Sequence, residues 1–188
     1  MTKDEKIAKL GKEITDRATV LLGKDKITPD APEYLGINSA LKFTAVKYDE
    51  KMADDILDIA LTMKKRVPLT IEQLAKKNPQ FDRAYLEKAL QALSESGLVE
   101  FHWENLDGKN PNHEKRWVLD MFVPGSAEIM MINPEQSDMF PETADFFERM
   151  AYLPLAGITE MVPPGGAGIG MHVIPVEKAI PAESKSLP

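Results

Sequence analysis

Within residues 49–123 the spacing of apolar residues switches from helical to strand-like, and that switch limits what the chain can fold into. From Asp49 the pattern is helical, with Met52, Ile56, Ile59, Ala60 and Met63 on one face. Acidic residues follow Asp49, and Lys64, Lys65 and Arg66 read as the last turn, a polarity that suits the helix dipole. Thr70 and Gln73 have the spacing of a capping box over a second, short helix that Asn78-Pro79 ends. Asp82 can cap a third helix, with Tyr85, Leu86, Ala89, Leu90 and Leu93 at helical spacing and Gly97 as its stop. Beyond Gly97 the residues read as strands. Leu98, Val99, Phe101 and Trp103 make one run, a polar turn follows from Asn105, and Arg116–Phe122 makes a second run.

Helix, short helix, turn, longer helix and hairpin is the order of a winged helix-turn-helix domain, expected over residues 49–123. Residues 1–48 read as a leading helix and a linker. Ile7, Leu10, Ile14, Ala18, Leu21 and Leu22 form an amphipathic stripe closed by Gly23. Residues 24–48 hold Pro29, Pro32 and Gly36 and read as irregular, with a short strand as an option at Leu41–Val46. Residues 124–188 form a C-terminal extension. It contains a short helix expected at Glu142–Leu153 and then an irregular Gly/Pro-rich arm that stays apolar on both flanks. The expected class is α+β, mainly α.

Composition narrows the functions available. With 188 residues and 43% of them hydrophobic, a core of useful size can be buried. Zero cysteines remove disulfides, a cysteine nucleophile and cysteine-ligated zinc or iron–sulfur centres from this chain. No apolar run approaches the roughly 18–20 residues of a membrane helix, and the charged N-terminus lacks a signal peptide's apolar stretch. A cytoplasmic protein with no membrane contact is expected.

Charge bears on nucleic acid. The formal net charge is −7. Over residues 70–96, Lys76, Lys77, Arg83 and Lys88 are balanced by Glu72, Asp82, Glu87 and Glu95. Over residues 104–116, Lys109, Lys115 and Arg116 are balanced by Glu104, Asp107 and Glu114. A DNA reader of this shape uses cations on the third helix and hairpin to hold phosphates, and each phosphate neutralised adds about 0.9 to the salt slope of log affinity. A neutral face lacks that term, so protein is the expected partner rather than nucleic acid.

Catalytic constellations are weak. Gly168 and Gly170 have the first spacing of a dinucleotide fingerprint, but Val173 stands at the third glycine position and no amphipathic helix follows. His102, His113 and His172 have no metal-ligand spacing, and no Ser-His-Asp order or paired carboxylates stand out. Trp103 and Trp117 are expected as a cross-strand pair or as core. Met130 and Met131, with Met121, Met139, Met150 and Met161, read as core filling ahead of an adaptable surface. No catalytic, cofactor or metal residue is therefore assigned. The candidate partner surface is the arm: Pro163, Pro164, Gly165, Gly166, Gly168, Gly170, Met171 and His172.

The stretches MFVPGSAEIMMINPEQ and ADFFERMAYLPLAGITEMVPPGGAGIGMHVIPVEKAIPAES, with the run before them, resemble the N-terminal region of large redox polypeptides from anaerobic bacteria. These are pyridine-nucleotide-disulfide-type flavoproteins fused to ferredoxin-like iron–sulfur domains. The similarity covers about residues 45–185, and Val162–Pro181 is its most specific part. The resemblance implies an accessory module, with FAD, NAD(P) and 4Fe–4S clusters in the downstream part of the parent protein and none in this segment. Its partners would be the downstream redox modules or a partner subunit, and a homodimer through the first helix or the arm stays open. A fragment of a longer polypeptide and a stand-alone module both fit a chain ending at Ser186-Leu187-Pro188. Two further readings stay open: a DNA-binding transcription regulator, and a small-molecule domain in which Gly165–His172 closes over a ligand.

Overall fold

The computed structural model describes residues 1–15, 27–105, 108–142 and 144. Two compact units divide the chain, Met1–Tyr152 and Leu153–Pro188, and the described residues belong to the first. That unit is mainly helical with one small antiparallel sheet, the α+β class expected.

Helix α1 (Lys3–Ile14) starts at a capping box, in which the Thr2 hydroxyl accepts from the Glu5 amide and the Glu5 carboxylate accepts from the Thr2 amide. It buries Ile7, Leu10 and Ile14. The other stripe positions, Ala18, Leu21, Leu22 and Gly23, lie outside the described residues.

Helix α2 (Pro32–Lys47) corrects the reading of residues 24–48 as an irregular linker with a strand at Leu41–Val46. Pro32 is no breaker there, because the first helical turn has no partner for its amide anyway. Nor is Gly36. A Cβ at Gly36 would lie 2.5 Å from the Phe122 ring, so the missing side chain makes a slot for that ring. Ile37, Ala40, Leu41 and Phe43 are each no more than 1% exposed. A helix buried on most sides shows no polar stripe, which hides its period.

Helix α3 (Glu50–Ala60) is capped by Asp49, whose carboxylate accepts from the Met52 amide at 2.7 Å. It ends before Lys64, Lys65 and Arg66, so these are not its last turn. The chain leaves through bonds from the Thr62 and Met63 amides to the Ile59 and Ala60 carbonyls. Arg66 then takes a φ of 60° and its amide donates to the Leu119 carbonyl at 2.9 Å. Two ion pairs, Lys3–Asp54 and Lys6–Asp58, tie α1 to α3.

Strand β1 (Leu69–Thr70) leads into α4 (Ile71–Lys77), and the capping box of Thr70 with Gln73 is present in both directions. Asp82 caps α5 (Arg83–Glu95) by accepting from the Tyr85 amide, and α5 buries Leu86, Ala89, Leu90, Ala92 and Leu93. Gly97 has a φ of 80°, the left-handed conformation that stops a helix cheaply only at glycine. Strands β2 (Val99–His102) and β3 (Arg116–Leu119) pair antiparallel, with Val99 opposite Leu119 and Phe101 opposite Trp117. Strand β1 adds to the other side of β3 with Leu69 opposite Trp117, giving the order β1-β3-β2.

A single π-helical turn (Phe122–Ser126) follows β3, then α6 (Ala127–Ile132) and α7 (Pro134–Met139). Met130 is 1% exposed and packs on Gly97 and Gly36, which is core filling. The buried Gln136 amide donates to the Ser39 hydroxyl and the Ser96 carbonyl, fastening α7 to α2 and to the end of α5. Ile7, Ile37, Ile56, Leu90, Leu119 and Phe122 share one core with Met130.

Candidate functional site

The open faces of α4, α5 and β3 enclose a groove of about 580 Å³. Its floor is Ile71 and Trp117. Its helical wall carries Glu72, Arg83, Glu87 and Gln91, and its strand wall carries Glu114 and Lys115. Local rules place the helical wall. The Thr70 cap sets Glu72 in the first turn of α4, and the Asp82 cap puts Arg83 at the start of α5 with Glu87 one turn on.

Arg83 is clamped between two carboxylates. Its guanidinium donates to Glu72 through Nη1 at 2.9 Å and to Glu87 through Nε at 3.1 Å. A hydrogen bond from its own backbone amide, then Arg83, holds the Glu72 carboxyl below the usual range. Conversely, the bonds to Glu72 and Glu87 raise the Arg83 pKa above its ordinary value. The exposed cation at the start of α5 thus faces two acids, and this trio carries one surplus negative charge.

The strand wall is held by Asn110. Its side-chain amide donates to the carbonyls of Trp103, Glu104 and Glu114, and its carbonyl oxygen accepts from the Glu114 amide. Next to it the His113 ring donates from Nδ1 to the Trp103 carbonyl at 3.0 Å. This bracing presents Lys115 across three rings: its ammonium lies 4.0 Å from the Phe101 centroid, 5.0 Å from Trp117 and 5.8 Å from Trp103. Such contacts are electrostatic attractions to the ring faces.

The tryptophans are not a cross-strand pair. Register puts Phe101 opposite Trp117, because Trp103 lies past the end of β2. Trp117 is core at 6% exposure, whereas Trp103 is 48% exposed and meets Phe101 edge-on at 5.3 Å. His102 is half-exposed, 3.4 Å from Glu104. Pro163, Pro164, Gly165, Gly166, Gly168, Gly170, Met171 and His172 lie outside the described residues, as does most of the helix expected at Glu142–Leu153. Among the described residues no helix is long and apolar enough to cross a membrane, and no group of three His, Asp or Glu is arranged to hold a metal ion.

A feature that local spacing does not announce lies on the far side of β3. Asp120 is 1% exposed, and neither carboxylate oxygen has a hydrogen-bond partner. Among the described residues its compensating charge is the half-exposed Arg66 guanidinium at 3.7 Å. Gly125 packs directly on it, since a Cβ there would lie 3.2 Å from the carboxyl carbon. Burial, then the nearby Glu100, push the Asp120 carboxyl up to about 6, with Arg66 opposing and Glu128 adding to the rise.

Comparison with known proteins returns no match: no family model, no curated protein and no solved structure.

Proposed function

We propose that this chain is a winged-helix module that docks onto protein rather than DNA, and that it serves as a non-catalytic accessory part of a flavin- and iron–sulfur-dependent oxidoreductase. The helix order, the three-stranded sheet and the hairpin after α5 support the winged-helix reading. In that reading α5 is the helix that would enter a major groove. The observation that carries the choice of protein is the clamp on Arg83. A guanidinium flanked by two carboxylates leaves this part of the face with no net positive charge, so it adds little to phosphate affinity.

The redox context rests on the sequence resemblance over residues 45–185. FAD, NAD(P) and 4Fe–4S clusters are assigned to the downstream part of a parent protein, since a chain without cysteine offers no thiolate for a cluster. The partner is then a redox module or subunit.

Titration of fluorescent duplex DNA at low ionic strength tests the choice. The expected outcome is no saturable anisotropy change. Saturable binding whose log affinity falls with log salt at a slope of several would overturn docking in favour of a DNA-binding regulator.

A further inference from the structure

We infer that the groove between α5 and the β2–β3 hairpin receives a basic segment of a partner protein, with an arginine or lysine side chain as its anchor. This deepens the docking reading and rests on it.

Charge complementarity picks the occupant. Glu72, Arg83 and Glu87 together leave one negative charge on the helical wall. Glu114 supplies another from the opposite wall, where it is exposed and has no ion-pair partner among the described residues. Lys115, the other base on the lining, is drawn over the rings of Phe101, Trp103 and Trp117 and pairs with no carboxylate among the described residues. The charges on the lining therefore sum to one negative, carried by the helical wall, while Glu114 and Lys115 balance on the other. A basic segment would meet opposite net charge on the helical wall, the Glu114 carboxylate across from it, and ring faces that already hold an ammonium.

The ring contacts are the second observation. Phe101 and Trp103 are exposed although large and apolar, and the resident cation bridging them shows what chemistry they attract. A partner's guanidinium can take the same faces if the Lys115 side chain swings out, an exchange of one cation–π contact for another.

Trp117 lines the groove and Trp103 lies 5.8 Å from the Lys115 ammonium beside it, so intrinsic fluorescence reads the site. The probe is a capped hexa-arginine peptide, titrated into the full chain at low ionic strength beside capped hexaglutamate and duplex DNA. Hexa-arginine is expected to shift the emission saturably, and hexaglutamate to leave it unchanged. Glu114→Gln, and separately Glu72→Gln, should each weaken hexa-arginine by about two- to fivefold, the scale of an exposed charge pair. Glu135→Gln, an exposed acid outside the groove, should leave it unaltered. Lys115→Met should tighten it by about threefold or more by clearing the rings. Circular dichroism melts of every variant confirm folding.

Equal weakening by Glu135→Gln would overturn the proposal, because the peptide would then be reading net charge alone. Absence of a saturable shift with hexa-arginine, or an equal shift with hexaglutamate, would also overturn it while leaving protein docking in place. Binding of the duplex would remove both the inference and the reading beneath it.

Discussion

Two carboxylates on opposite sides of β3 live under opposite rules. Glu72 is exposed, bonded to Arg83 and to its own amide, and its carboxyl titrates below the usual range. Asp120 is buried, lacks a hydrogen-bond donor and titrates near 6. The first contributes little to stability, because solvent screens exposed pairs and their side chains lose entropy on pairing. The second is an ionised group held out of water at a cost. The groove face is therefore tunable without endangering the fold, whereas the joint behind the sheet is not.

The largest effect should come from that joint. Phe122→Ala empties the slot over Gly36 and is expected to cost about 3–5 kcal/mol, measured by urea unfolding with the slope unchanged. A loss below about 1 kcal/mol would mean that the Phe122 contact on α2 is not formed.

Asp120→Asn comes next and has the other sign. The rise from 3.8 to about 6 corresponds to roughly 3 kcal/mol of destabilisation when the carboxyl is ionised. Because the folded state holds this proton more tightly than the unfolded chain does, the penalty is absent below pH 4 and grows as pH rises toward 6. The variant should match the wild type in acid and exceed it by about 2–3 kcal/mol above pH 6, less whatever the buried amide itself costs. A difference that does not vary with pH would show that Asp120 keeps an ordinary pKa.

Thr70→Ala should cost about 1 kcal/mol through loss of the α4 cap. It should also loosen Glu72 against Arg83, seen as faster amide exchange in α4. Arg83→Ala is the smallest: no resolvable change in melting temperature, because the clamp is exposed on all three members. A clear loss of stability there would break the contrast between the two faces.

Residues 49–119 were largely readable from sequence, since their signals are local. Asp49, Thr70 with Gln73, Asp82 and Gly97 each act within three residues of a helix end, and each sits where its spacing predicts. Residues 32–47 were not readable, because their helix is specified by what packs on it. Gly36 is understood only once Phe122, far along the chain, is placed against it. Helix α3 ends earlier than its spacing predicts for a related reason: the basic run after it looks like a last turn until Arg66 is seen bonded to Leu119. In the groove, the Arg83–Glu87 pair follows from helical spacing, but the Glu72 contact crosses from one helix to the next. Nothing in spacing announces Asp120. One acid in an apolar run reads as a strand's solvent-facing residue until the π turn covers it.

Strand β3 carries Trp117 into the groove, and the chain just beyond it delivers Phe122 to the interior. A short run of chain thus joins the outward face to the N-terminal half of α2. Whatever presses on Trp117 from outside is braced against that helix, so the floor of the groove should behave as a stiff plate and not as a yielding hinge.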